Sequence, residues 1–122
     1  MGREQLPTHE QAIESLYGLL DLVESNEGAI FQYRNGESLR IFNNGDDDEM
    51  TVYFEAPEEM YGNYDECFYN SIEAKVGSSG KIIDLRGDKP LARKGRIILM
   101  GAVMTVETSL DIEPSTVEIE KL

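Results

Sequence analysis

Residues 29–43 read AIFQYRNGESLRIFN, and the fold turns on this stretch. Apolar and polar side chains alternate on either side of Asn35-Gly36, a dipeptide suited to a tight hairpin because both residues accept positive φ. Residues 29–34 therefore read as one strand. Residues 38–43 read as its antiparallel partner, with Leu39 and Ile41 alternating against Arg40. Past a turn at Asn44-Gly45 and the run Asp46-Asp47-Asp48-Glu49, residues 50–56 are rich in strand formers and extend the pair to a three-strand meander.

On the N-terminal side the period changes to that of a helix. Thr8 with Gln11 three residues on makes a capping box. Ile13, Leu16, Tyr17, Leu20 and Val23 then recur on one face, widened by Leu19 and Leu22. The helix ends at Ser25-Asn26-Glu27-Gly28, where Asn26 or Gly28 can take a left-handed conformation.

On the C-terminal side, residues 57–63 read as a loop. Residues 64–76 fit either period, and 69–76 is read as a strand because Gly77-Ser78-Ser79-Gly80 and Ile82-Ile83 complete a hairpin after it. Residues 86–96 read as a turn-rich basic loop, residues 96–107 as a long apolar strand bent at Gly101, and residues 117–120 as a last strand after Pro114 and Ser115. The expected fold is α+β: an N-terminal helix packed on a curved antiparallel sheet or partly closed barrel of about six to seven strands.

A chain of 122 residues, 40% apolar and 29% charged, is expected to form a single domain over 1–122, with residues 1–7 as a flexible tail. Cys67 is the lone cysteine, so no internal disulfide forms. No apolar run approaches the ~20 residues of a membrane span, and the polar start of the chain lacks a leader pattern. These features read as a soluble, cytoplasmic protein.

Charge is the strongest functional signal. Residues 1–76 carry 17 acidic and 4 basic side chains. Residues 77–96 reverse this, with 6 basic and 2 acidic, and the whole chain stands at −13. Such a field argues against DNA, RNA and anionic membranes as direct partners, because phosphate binding needs Lys and Arg to displace counterions. It favours basic partners.

No motif specifies a reaction. The run Asp46 to Glu49 offers hard oxygen ligands, but consecutive acids point in different directions and lack the EF-hand spacing. Gly77-Ser78-Ser79-Gly80-Lys81 resembles the end of a phosphate loop, yet Ile82 stands where a hydroxyl residue belongs and a strand is expected to follow. Cys67 has Asp65 and Glu66 as neighbours, which oppose thiolate formation, and His9 is the only histidine. Arg86-Gly87-Asp88 is read as a chance tripeptide. No catalytic residue, metal site or cofactor is expected.

The leading expectation is a small acidic non-enzymatic binding protein that occludes a basic or nucleic-acid-binding surface of a partner protein, as a nucleic-acid mimic or immunity-type inhibitor does. Carboxylates would replace phosphates against Lys and Arg. The expected contact residues are Asp46, Asp47, Asp48, Glu49, Glu55, Glu58, Glu59, Asp65 and Glu66, with Tyr61 and Tyr64 as anchors. The basic loop (Lys81, Arg86, Lys89, Arg93, Lys94 and Arg96) is expected to neutralise nearby acids or to be simply a solvated loop, with a grip on phosphate or an acidic partner, or self-association, as the alternatives. The alternatives are an assembly subunit, such as a virion component, and a small enzyme using a carboxylate pair.

Overall fold

A computed structural model describes residues 7–34, 36–44, 49–56, 71–77 and 80–122. Helix α1 spans His9–Leu22. The expected capping box is present: Gln11 N donates to Thr8 Oγ1 at 3.1 Å, and Thr8 N donates to Gln11 Oε1 at 3.0 Å. The helix buries Ala12, Leu16, Leu19 and Leu20, while Tyr17 and Leu22 are exposed. The buried face is thus turned from the expected one, from Tyr17 toward Ala12 and Leu19.

The meander follows as β1 (Gly28–Tyr33), β2 (Glu37–Asn43), β3 (Met50–Glu55), β4 (Ser71–Val76), β5 (Ile82–Asp84) and β6 (Lys89–Pro90). Tyr33 pairs with Glu37, so three residues connect the first hairpin. Gly28 has φ 129°, and a Cβ there would overlap the carbonyl oxygen of Ile41, so glycine is required where the chain enters the sheet. One face of the meander is apolar in rows that cross the strands. Phe31, Leu39, Phe54 and Ile72 form one row, and Ala29, Ile41, Val52 and Ala74 form the next. All of these are buried, while Ile30, Arg40, Tyr53 and Glu73 alternate with them on the other face.

The C-terminal third departs from expectation. Residues 93–112 form helix α2 (Arg93–Ile112), not a strand, and the basic segment divides into a turn, the edge strand β6 and the first turn of this helix. Gly95, Leu99, Ala102, Val103 and Val106 are buried, a helical period that the apolar letters of 97–106 hide. A 3-10 turn at Pro114–Thr116 leads to β7 (Glu118–Lys121), which pairs antiparallel with β1. The sheet order is β6-β5-β4-β3-β2-β1-β7. Chain entering α2 at one edge must therefore reach the other. Six strand spacings of about 4.8 Å make ~29 Å, and twenty helical residues span ~30 Å. A helix of this length bridges the sheet, and both helices share its buried face.

Among the described residues the fold is thus α+β, with two α-helices on a seven-stranded antiparallel sheet. Edge strands β6 and β7 do not pair, so the sheet is open and the barrel alternative does not apply. No described helix is long and apolar enough to cross a membrane.

Candidate protein-binding surfaces

The topology sorts the charges in space. His9, at the start of α1, lies beside Ile82 of β5, whose backbone N–H points to His9 Nδ1 at 3.5 Å. Helix α2 starts just after β6. Arg96 ties the two helix starts together: its Nη1 donates to Leu91 O at 2.7 Å and its Nε to Pro7 O at 3.3 Å. Both helices then run toward the other side of the sheet, where α1 leads into β1 and α2 into β7.

The basic segment lies on the β5/β6 side. Arg86 pairs locally with Asp84 at 3.4 Å. Lys81, Lys89 and Arg93 are exposed and enter no ion pair among the described residues. Helix α2 has no side-chain cap at Ala92 and no acid in its first turn, while Arg93, Lys94 and Arg96 crowd there. Positive charge at a helix start opposes the macrodipole. Arg86 pairs with an acid of its own turn, and Arg96 serves as a backbone tie. The local field reaches His9, whose pKa lies below the ordinary histidine value, chiefly through burial and then through Arg96 and Lys81.

The β1/β7 side is the reverse. Asp21, Glu24 and Glu27 surround the end of α1, Asp111 and Glu113 the end of α2, and Glu118 and Glu120 lie on β7. All seven are exposed and unpaired among the described residues. Neither helix has a base in its last turn. Each C-terminus adds about half a negative charge, so side chains and backbone dipoles polarise the molecule in the same sense. This side was not among the expected contacts. Its signal in the sequence is the absence of Lys and Arg from the last turn of each helix, legible only once α2 is known to be helical.

Of the expected acidic contacts, Glu49 and Glu55 are described; Asp46, Asp47, Asp48, Glu58, Glu59, Tyr61, Tyr64, Asp65 and Glu66 lie outside the described residues, as does Cys67. Glu49 precedes β3 and Glu55 ends it, so the strand separates them by about 20 Å. Each meets a base of its own chain: Glu49 pairs with Lys75 at 3.0 Å, and Glu55 with Arg40 at 3.8 Å. These partly exposed pairs are each worth roughly 0–1 kcal/mol.

Concave regions lie on both faces of the sheet. On the helix-free face of the sheet, Arg40, Phe42, Thr51, Tyr53, Glu55 and Glu73 line a shallow space of about 510 Å³. Phe42 and Tyr53 meet edge to face there, with ring centroids 5.9 Å apart. Between the helices, a groove of about 700 Å³ is lined by apolar Ile97, Met100 and Met104, by Gly18 and Gly101, and by Glu14 and Glu107. The segment resembling a phosphate loop leads into β5, which pairs back on β4, so it belongs to a hairpin connection. Arg86-Gly87-Asp88 forms the turn from β5 to β6, where Asp88 N donates to Asp84 O at 2.8 Å. Comparison with protein-family models, curated proteins and solved structures finds no match to the chain.

Proposed function

We propose that this chain is a small acidic, non-enzymatic binding protein whose β1/β7 side engages a basic surface of a partner protein, including surfaces that otherwise hold nucleic acid. One observation carries the reading: seven exposed carboxylates collect at the ends of both helices and on β7, where two helix C-termini add to the same field. Like charges held together raise the potential and steer a basic partner to that side. The carboxylates then take the places of phosphates against Lys and Arg.

The test is capture from a native lysate at about 0.15 M salt, where the Debye length is ~8 Å. The bait is the chain itself, beside a variant carrying Asp111→Asn, Glu113→Gln, Glu118→Gln and Glu120→Gln. The expected result is a basic protein retained by the first, lost by the second, and released by heparin. Equal capture by both, or no basic protein captured, defeats the reading.

The same polarity supports a second reading, an assembly subunit that associates head to tail, with the β5/β6 side of one copy against the β1/β7 side of the next. Light scattering at low and high salt separates the two. Mass that grows at low salt and falls as salt rises favours assembly, and a monomer at every concentration counts against it.

A further inference from the structure

The groove between α1 and α2 has features that packing among the described residues does not explain. Gly18 and Gly101 lie inside the two helices, are exposed, and would place a Cβ within 4 Å of no other atom. Alanine would fit at both and would make each helix more stable. The glycines keep the groove floor low where nothing of the described chain fills it. Its walls are apolar and open, with Met104 59% and Ile97 42% exposed. Methionine and isoleucine left in water beside an open groove are poised to be covered, and methionine adapts to the shape of what covers it.

The geometry points to this groove as the docking site of an amphipathic helix from a basic partner protein, lying antiparallel to α1 and α2. Lining residues extend from Pro7, just before α1, to Gly18 within it, and from Ile97 to Glu107 on α2. At 1.5 Å per residue these are stretches of about 16 Å, three turns of an incoming helix. Apolar anchors spaced i, i+3, i+4 and i+7 would cover Ile97, Met100 and Met104. The charged lining residues, Glu14 and Glu107, are both acids, so the flanks of the occupant are Lys or Arg. Both helices of the groove run the same way, and an antiparallel occupant sets its positive N-terminus beside their C-termini. A second copy of this chain fits poorly, because it brings the same acids and a net charge of −13. The groove opens toward the β1/β7 side where the helices end, but the acids of β7 do not line it, and its occupancy does not depend on Glu118 and Glu120.

The probes are two synthetic peptides of about 15 residues, long enough for four helical turns. They share a Leu pattern at i, i+3, i+4 and i+7, with Lys on the flanks of one and Glu on the flanks of the other. Each is titrated by fluorescence anisotropy at ~0.15 M salt. The Lys peptide is expected to bind at least about tenfold more tightly than the Glu peptide. Gly101→Leu and Gly18→Leu, which project a side chain into the groove from positions where a Cβ meets no other atom, are each expected to weaken it by about tenfold or more while leaving the denaturant midpoint unchanged or higher. The double variant Glu118→Gln, Glu120→Gln is expected to bind as the parent does, which separates this site from the acids of β7. With 13C-methyl methionine, Met100 and Met104 should shift on binding and the buried Met50 should not. The inference is overturned by the absence of saturable binding, by equal binding of both peptides, or by binding that neither plug disturbs. It is also overturned by a dimer that Gly101→Leu dissolves, which would assign the groove to a second copy.

Discussion

α1 and α2 lie side by side on one face of the same sheet, yet they are helical for different reasons. α1 declares itself locally. Thr8 and Gln11 close a capping box, Glu10 sits in the first turn where it complements the dipole, and Leu16, Leu19 and Leu20 recur at helical spacing. α2 lacks both the cap and the first-turn acid. Ala92 offers no capping side chain, bases fill the first turn, Gly95 and Gly101 interrupt it, and Ile97, Ile98, Val103, Thr105, Val106 and Thr108 are β-branched. What holds α2 is burial of Leu99, Ala102, Val103 and Val106 on the sheet, together with a span that matches the sheet's width. A helix can be specified by its own ends or by the surface it must cross, and this molecule contains one of each.

The comparison can be broken most forcefully in the core. Leu99→Ala removes a fully buried side chain from the helix that depends on packing, and it should cost about 2–5 kcal/mol in urea unfolding. As isolated peptides, residues 92–113 should show little helical circular dichroism, whereas residues 7–24 should show more despite being shorter. A strongly helical 92–113 peptide would remove the distinction.

Capping comes next. Thr8→Ala should destabilise by roughly 1 kcal/mol, and Ala92→Asp should stabilise by a similar amount, because it supplies the cap and the negative charge that α2 lacks. The denaturant midpoints of the two variants should move in opposite directions. Within α2, one substitution at two sites should also change sign. Gly101→Ala meets no atom and should gain about 1 kcal/mol. Gly95→Ala would set its Cβ 2.9 Å from Cγ of the buried Leu91 and should lose stability instead.

The smallest effect is at the joint between the helix starts. Burial, Arg96 and Lys81 hold the folded-state pKa of His9 below its ordinary value of about 6.5. The unfolded chain therefore binds this proton first as pH falls. The His9 contribution to stability is whole above about pH 6.5 and diminishes as pH drops through the interval down to the folded pKa. His9→Gln should remove that part of the pH dependence. Unfolding midpoints compared between about pH 7.5 and pH 5 test this, and identical pH profiles for the two proteins would refute it.

Much of the sheet was legible in the sequence. The alternation around Asn35-Gly36 yields β1 and β2 in register, and the strand formers of 50–56 yield β3. The helix reading of 64–76 fails at 71–76, because Ile72, Ala74 and Val76 point to one face of β4 as the strand reading requires. The run 97–106 is a helix where a strand was expected because eight of its ten residues are apolar and satisfy both periods, and the local signals that distinguish them are missing at Ala92. The candidate site was less legible still. Glu49 and Glu55 share a stretch of sequence but lie at opposite ends of β3, each beside its own base, while Asp21 and Glu120 share a side although 99 residues separate them in the chain.

Sequence alone therefore determined α1, strands β1 to β5 and the segregation of basic from acidic residues along the chain. Caps, turns and side-chain alternation act between near neighbours and can be read there. Tertiary structure alone decided that 93–112 is a helix, that the two helices point the same way, and that their acidic ends meet β7 on one side. Those outcomes follow from a crossing of the whole sheet to pair β7 with β1, a constraint between residues far apart that no local pattern contains.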